Sequence, residues 1–276
     1  MRTALVAGLP RSEARLLLGH VLCRDQSWLV SHDEYVLTSS EFEHIGALAA
    51  RRIVGEPVAY LLGQREFYGR TFACTPAALI PRPETELLVD QALAVLRERP
   101  AVVDHAMRGP LTVVDIGTGT GCIAISVALE RPDTVVTALD ISPDALELAH
   151  KNAQQLGAKV AFIASCWFSE LVPDARFDVI LSNPPYIAPG DSHLAQGDLR
   201  FEPSIALSDA VDGLESYRQL AHGAKRHLKN GGWLIVEHGF DQGVSVPEIF
   251  LSNGFVEVAT IADLAGHPRV TRARLR

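Results

Sequence analysis

At 276 residues, 47% of them hydrophobic and 21% charged, the chain is long enough for two domains and has the composition of a folded soluble protein. A formal net charge of −8 argues against non-specific wrapping of nucleic acid, and no run of about 18 uncharged apolar residues is present to cross a membrane. Four cysteines without C-x-x-C spacing, ten histidines without metal-ligand spacing and a short apolar start predict no disulfide framework, no metal, no signal peptide and a cytoplasmic location.

From Ser12, the residues Ala14, Leu17, Leu18, Val21 and Leu22 recur at helical spacing and predict a first amphipathic helix. Ser40 followed by Glu43 predicts a capping box, and Phe42, Ile45, Ala49 and Ile53 continue one apolar face until Gly55 and Pro57 stop the helix. Residues 1–72 are read as a small helical domain with a hairpin linker running to about 83. Two roles stand for it: a structural cap on the larger domain, or a grip on a partner. Around Tyr68-Gly69-Arg70, β-prone residues on both sides predict the hairpin. Residues 80–86 (Ile-Pro-Arg-Pro-Glu-Thr-Glu) then open a helix through Leu87, Leu88, Ala92 and Leu96. Its proline and acids have sufficient structural reasons, although Arg82 and Glu84 also suit a ligand. Residues 97–110 read as an exposed connection.

From Leu111 an apolar strand runs through Asp115 into Gly117-Thr118-Gly119-Thr120-Gly121, and a helix follows from Cys122. Strand, glycine turn and helix bring backbone N–H groups against a ligand with no side chain between. The spacing is G-x-G-x-G rather than the G-x-G-x-x-G that suits a pyrophosphate. Asp115 is placed beside a cationic group, an ammonium. A second strand ends in Asp140, at about the distance at which an acid meets a ribose hydroxyl pair in nucleoside-binding sheets. Ser142-Pro143 starts the next helix, with Gly157 at its end.

A third strand, at 160–164, precedes Trp167, which either packs in the core or flanks a base. The fourth, from Phe177, ends on Asn183-Pro184-Pro185-Tyr186. Each proline fixes φ and removes a backbone donor, so the ledge keeps acceptors. The Asn183 side-chain oxygen and the Pro184 carbonyl converge on an NH2 group, and Tyr186 covers a planar substrate. Residues 187–213, polar but anchored by Phe201 and Pro203, read as a lid over the substrate. A helix, a fifth strand at 233–237, another helix and a closing strand pair complete the pattern. Alternation of strands and helices predicts an α/β fold, a doubly wound, mainly parallel sheet of seven strands after the small helical domain. A nucleoside pocket with acids and no lysines points to S-adenosylmethionine.

Over nearly its whole length the chain resembles the release factor glutamine methyltransferase family, known as PrmC or HemK. The resemblance rests on residues 57–63 with Glu66-Phe67-Tyr68-Gly69, residues 80–86, Asp115 to Gly121, and Ser182 to Ile187. Phe201-Glu202-Pro203 and Glu237-His238-Gly239 add to it. It implies a class I methyltransferase domain over 84–276, and methylation of the side-chain amide (N5) of the glutamine in the Gly-Gly-Gln motif of bacterial peptide chain release factors. S-adenosylhomocysteine is the implied by-product. Cofactor contacts fall on Gly117, Thr118, Gly119, Thr120, Gly121, Asp140, Trp167 and Asn183. Substrate contacts fall on Asn183, Pro184, Pro185 and Tyr186, with Asn183, Pro184 and Tyr186 at the chemistry. The helical domain would dock the release factor, the enzyme being a monomer with no direct nucleic-acid contact. Cys166 stands where many members carry an acid before the tryptophan, and a thiol is a poor acceptor for an adenine amino group.

Two other readings compete. A nucleic-acid amino-group methyltransferase would use the same ledge on a flipped base and would need a basic groove. A non-catalytic binding protein would show a damaged ledge or loop.

Overall fold

The computed structural model describes residues 8–98 and 109–276, so most of the predicted connection at 97–110 lies outside the described residues. Among the described residues four helices come first: α1 (Arg11–Leu22), α2 (Gln26–Ser31), α3 (Ser39–Ile53) and α4 (Val58–Leu62). Leu17, Leu48 and Leu61 form one small core between α1, α3 and α4, and Leu18, Leu29 and Ile45 form another with α2. The capping box lies two residues before the predicted one. Thr38 Oγ1 accepts from Glu41 N, while the Glu41 carboxylate accepts from Thr38 N at 2.7 Å. Glu41 also receives the Tyr35 hydroxyl, which fixes it in that role. The short α2, unpredicted, begins where Asp25 caps Trp28 N.

The hairpin is β1 (Gln64–Phe67) and β2 (Arg70–Ala73). Both residues of its turn, Tyr68 (φ 52°) and Gly69 (φ 70°), are left-handed, the twist that matches a tight hairpin. Glu86 holds the strained turn by accepting from Tyr68 N at 2.9 Å. Phe67 and Phe72 are fully buried in the core of the large sheet, so the hairpin is anchored to that sheet as well as linking to it.

After a 3-10 turn (Pro83–Thr85) come α5 (Glu86–Glu98), β3 (Leu111–Ile116), α6 (Cys122–Glu130), β4 (Thr134–Asp140), α7 (Pro143–Leu156), β5 (Val160–Ala164) and β6 (Phe177–Ser182). The loop beyond β6 holds α8 (Ser204–Leu207) and leads to α9 (Glu215–His227), β7 (Leu228–Glu237), α10 (Ser245–Ser252), β8 (Val256–Ala262) and β9 (Pro268–Arg274). The seven-stranded sheet has the order β5-β4-β3-β6-β7-β9-β8. The pairs from β5 across to β7 are parallel, and β9 runs antiparallel to both β7 and β8. This is the mainly parallel, doubly wound α/β sheet expected.

Alternation along each central strand builds two cores. Val113, Val179, Leu181, Trp233 and Ile235 face α5 and α6. Val114, Ile116, Ile180, Leu234 and Val236 face α9 and α10. Period-two alternation of apolar side chains on both faces is what a sheet covered on both sides requires. Each fully buried aliphatic side chain stabilises by about 1.5–3 kcal/mol, enough to hold the strand ends rigid. The β3–β4 register pairs Ile116 with Leu139, which places the glycine turn after β3 directly beside Asp140.

Candidate active site

The turn after β3 is shaped from behind and from the side. Gly117 N and Thr118 N both donate to Leu139 O, at 2.8 and 2.9 Å. Gly119 N donates to Asp140 Oδ2 at 2.8 Å, and Asp140 Oδ1 accepts from Ser142 N at 2.9 Å. Each Asp140 oxygen retains a second acceptor lone pair, and the residue lines the cleft above the strand ends. A side chain added at Gly117 (φ +74°) would meet nothing within 4 Å, so the backbone there borders open space that a ligand can approach.

Gly121 differs. A methyl there would lie 2.8 Å from Ile125 Cδ1 and 3.1 Å from Ala149 Cβ. Gly121 thus lets α6 pack against α7, and the cleft wall takes Gly117, Thr118, Gly119 and Thr120 but not Gly121. Asp115 also differs from expectation: it is fully buried behind the turn, off the cleft wall, and Oδ2 accepts from Thr118 Oγ1 at 2.7 Å. Burial pushes the Asp115 carboxyl up to about 7, against the hydrogen bonds from Thr118 and Ala124 N.

Facing the turn is the ledge after β6. Ser182 Oγ donates to Ile116 O at 2.7 Å and locks the two strand ends together. Asn183 Nδ2 donates to Thr85 Oγ1 at 3.2 Å, whereas Asn183 Oδ1 is buried with no partner. A buried amide oxygen without a hydrogen bond is costly and is informative at the wall of a cleft. Ser216 Oγ donates to Pro185 O at 2.8 Å, and Gln242 Nε2 donates to both Tyr186 O (3.1 Å) and Gly213 O (2.9 Å). Gln242 Oε1 in turn accepts from the Tyr217 hydroxyl and Gly239 N. The ledge is thereby tied to α9 and to the end of β7.

Asn183, Pro184 and Pro185 line the cleft; Tyr186 does not. Its ring packs instead into the core beneath α9 and α10, and burial pushes its hydroxyl well above the usual phenol value. The turn imposed by two prolines, together with the hold of Gln242 on Tyr186 O, sends the ring inward. Trp167 is on the cleft wall and also packs on the core, in a left-handed conformation (φ 53°) after Ser165 and Cys166.

Two features escaped the sequence reading. Thr85, from the 80–86 segment, meets Asn183 across 98 positions of chain. Glu237, at the end of β7, is almost wholly buried, and its Oε2 has no partner. Burial pushes this carboxyl up to about 7, with Glu84 adding to the rise and hydrogen bonds from Thr85 and Asn183 opposing it. The sequence marked Glu237 as an acid ending an apolar strand and as part of the Glu237-His238-Gly239 motif, without assigning it a role.

The loop at 187–213 closes one side of the cleft with Pro203, Ile205, Ala206 and Ser208. Glu202, its carboxylate buried, accepts from Ile80 N at 3.0 Å and from Arg82, clasping this loop to the segment after the hairpin. Arg82 reaches the cleft but is neutralised by this pairing, and Glu84 is not on the wall. The enclosed space is about 560 Å³. Arg82 is the single lysine or arginine among the described lining residues, against Asp140, Asp209 and Glu215. Such a wall suits a neutral or cationic ligand and not a pyrophosphate. Among the described residues no group of three or more His, Cys, Asp or Glu side chains is placed to hold a metal, and no helix is long and apolar enough to cross a membrane.

Comparison with known proteins agrees with this geometry. The sequence profile of the Methyltransferase small domain matches residues 90–198, and that of the PrmC N-terminal domain matches residues 5–63. The release factor glutamine methyltransferase of Neisseria gonorrhoeae is 50% identical over 264 residues, 95% of this chain and 93% of that protein. Its counterpart in Escherichia coli is 42% identical over 96% of this chain and 92% of its own length. Among solved structures, the hMettl16 catalytic domain in complex with an RNA hairpin superposes with a TM-score of 0.57 at 17% identity, over 83% of this chain and 81% of that one. The T. thermophilus 16S rRNA methyltransferase RsmC, in complex with AdoMet and guanosine, gives 0.52 at 19% identity over 77% of this chain and 50% of its own. These two show the shared fold. On the identity and coverage of its full-length relatives, the chain belongs to the release factor glutamine methyltransferase family.

Proposed function

We propose that this chain transfers a methyl group from S-adenosylmethionine to the side-chain amide nitrogen (N5) of the glutamine in the Gly-Gly-Gln motif of bacterial peptide chain release factors. The observation that carries the reading is Asn183 Oδ1, a buried acceptor without a partner at the wall of a cleft whose opposite side is a glycine turn. Family membership supports the release factor as substrate.

The residues present fit the donor. Gly117 to Thr120 offer a wall clear of large side chains, Asp140 has acceptor capacity for a ribose hydroxyl pair, and Trp167 flanks the base. Asn183 closes the far side. The acidic lining favours a ligand bearing cationic centres. Cys166, exposed at the cleft, offers only a weak acceptor, so contact with an adenine amino group is either weakened there or supplied by backbone. When bound, S-adenosylmethionine supplies an electrophilic methyl group.

The chain itself positions the nucleophile. Asn183 Oδ1 and the Pro184 carbonyl accept from the substrate NH2, which orients the nitrogen lone pair away from the ledge and into the cleft. As nitrogen gains positive charge, its N–H groups become better donors and the two acceptors hold them more strongly. That is stabilisation of the transition state over the ground state. One N–H proton then passes to a water molecule at the mouth of the cleft, and the amide is neutral again. The helical domain at residues 1–72 docks the release factor, with a monomer in the cytoplasm as the working form.

Methyl transfer from labelled S-adenosylmethionine is tested on a purified release factor, on the same factor with its Gly-Gly-Gln glutamine changed to alanine, and on ribosomal RNA and duplex DNA. Label on the parent factor alone is expected. Label on RNA or DNA alone would replace this reading with recognition of a base.

A further inference from the structure

Asn183 can serve as an acceptor only if its amide is held with oxygen toward the cleft and NH2 away from it. An amide side chain is nearly symmetric in shape, so sterics alone do not choose between the two orientations. The choice must come from hydrogen bonding on the side away from the substrate. That side holds two groups that accept: Thr85 Oγ1, 3.2 Å from Asn183 Nδ2, and the Glu237 carboxylate, which both Thr85 and Asn183 approach as hydrogen-bond donors.

We infer that Glu237 and Thr85 are positioning residues that hold the Asn183 amide with Nδ2 toward themselves and Oδ1 left without a partner for a substrate NH2, and so make the site selective for an NH2-bearing substrate; the inference rests on the proposed amide methylation. Thr85 accepts from Asn183 Nδ2 and turns its own hydroxyl proton to Glu237. In its ionised form the Glu237 carboxylate can only accept, so in that form it is not satisfied by the flipped amide, whose oxygen would face it. The flipped amide would present N–H to the substrate N–H groups, and the cleft would then prefer a substrate that accepts.

Stability does not call for Glu237, for which burial and repulsion by Glu84 outrank the attraction of Arg269. It is 1% exposed, one of its oxygens has no partner, and the acidic Glu84 adds repulsion. Replacing such a group by an apolar side chain of similar volume is generally neutral or stabilising. A costly buried acid touching the one residue whose orientation matters is therefore assigned to that orientation. Thr85 follows the same logic. It is 2% exposed, ends the 3-10 turn at Pro83–Thr85, and directs its hydroxyl to Asn183 and Glu237.

The test measures turnover on a release factor, cofactor affinity by calorimetry and thermal unfolding for Glu237→Met, Thr85→Val and Thr85→Ser, and for the first two combined with Asn183→Ala. Loss of orientation at the reacting nitrogen is expected to lower kcat by on the order of 10²-fold in Glu237→Met and Thr85→Val. Cofactor affinity and unfolding temperature should hold or rise, and Thr85→Ser, which keeps the hydroxyl, should recover most of the turnover. In the Asn183→Ala background neither substitution should cost anything more, because there is no amide left to orient. Undiminished kcat in Glu237→Met, or losses that multiply with Asn183→Ala, would overturn the assignment while leaving the proposed reaction standing. A fall in unfolding temperature that accompanies the loss of turnover and is not reversed by Thr85→Ser would likewise make the pair structural. No transfer to the release factor by the parent enzyme would remove both readings together.

Discussion

Arg52 on α3 and Asp198 in the loop beside the cleft form a 2.9 Å ion pair, and the same guanidinium holds Glu13 of α1 at 2.6 Å. Arg52 Nη1 also donates to the carbonyl of Glu56 at 3.1 Å. One side chain thus connects two helices of the small domain to the loop at 187–213, which Glu202 clasps to Arg82 at the cleft. The small helical domain is thereby mechanically linked to the wall of the cleft.

Arg52→Met keeps the aliphatic stem and removes the link. Hydrogen bonds to charged groups contribute about 1.5–3 kcal/mol, so the unfolding temperature should fall by several degrees. KM for the release factor should rise about tenfold, the equivalent of about 1.4 kcal/mol, with cofactor affinity nearly unchanged. Steady-state kinetics with the whole factor decide it. An unchanged KM would mean that the loop keeps its position without the helical domain.

Asn183→Ala removes the unpartnered acceptor and leaves the glycine turn intact. Loss of one preorganised hydrogen-bonding group at a reacting centre costs on the order of 10²–10³ in kcat. The unfolding temperature should fall by only a few degrees: Oδ1 has no partner in the ligand-free fold, and the loss is confined to the Nδ2 hydrogen bonds to Thr85 and Glu237. Single-turnover methyl transfer at saturating cofactor measures the step directly, and parity with the parent enzyme would remove Asn183 from the chemistry.

The parts of the site carried by contiguous residues were legible in the sequence. A strand, a glycine turn and an acid at the end of the next strand announced the cleft, and Asn183-Pro184-Pro185 announced the ledge. What escaped were partners distant along the chain: Thr85 to Asn183, Gln242 to Tyr186 O and Gly213 O, and Arg52 to Asp198. Side-chain direction at the end of an element also escaped. Asp115 and Tyr186 were placed correctly along the chain, yet one lies behind the turn and the other beneath the ledge. The capping box illustrates a third limit, since Thr38/Glu41 and Ser40/Glu43 have identical spacing and only the hydrogen bonds to Glu41 choose between them.

Gly117 and Gly121 share a left-handed backbone and should nevertheless fail differently. Alanine at either position carries a conformational cost of about 1–2 kcal/mol. At Gly121 the methyl also collides with Ile125 and Ala149, adding overpacking of about 1–3 kcal/mol. Gly121→Ala should therefore lower the unfolding temperature markedly more than Gly117→Ala. Gly117→Ala places its methyl in the open cleft and should weaken cofactor binding by about tenfold or more, given about 1.4 kcal/mol per decade. Calorimetric titration and thermal unfolding of the two variants separate the roles. Equal losses of stability would show that the packing between α6 and α7 adapts to the extra methyl.

Asp115 and Glu237 make the ligand-free protein more stable in mild acid. Burial pushes both carboxyls up to about 7, from about 4 in an unfolded chain. Between those values the folded state binds more protons than the unfolded state, so stability is complete below about pH 4 and is lost as pH rises to about 7. Each group contributes a slope of up to about 1.4 kcal/mol per pH unit in that window. His238 works in the opposite sense: burial keeps it neutral with a lowered pKa, so its contribution is present above the usual histidine value and is lost as pH falls. Two acids outweigh one histidine, and the net slope remains downward. Thermal unfolding of the parent from about pH 5 to 7.5 should show a declining midpoint. In Asp115→Asn, which keeps an acceptor for the Thr118 hydroxyl, the decline should flatten by the share of one proton. The flattening must appear between about pH 5 and 7 and vanish above it. A parent midpoint that rises across this range, or an Asp115→Asn curve parallel to it, would show that the buried acid titrates no differently folded than unfolded.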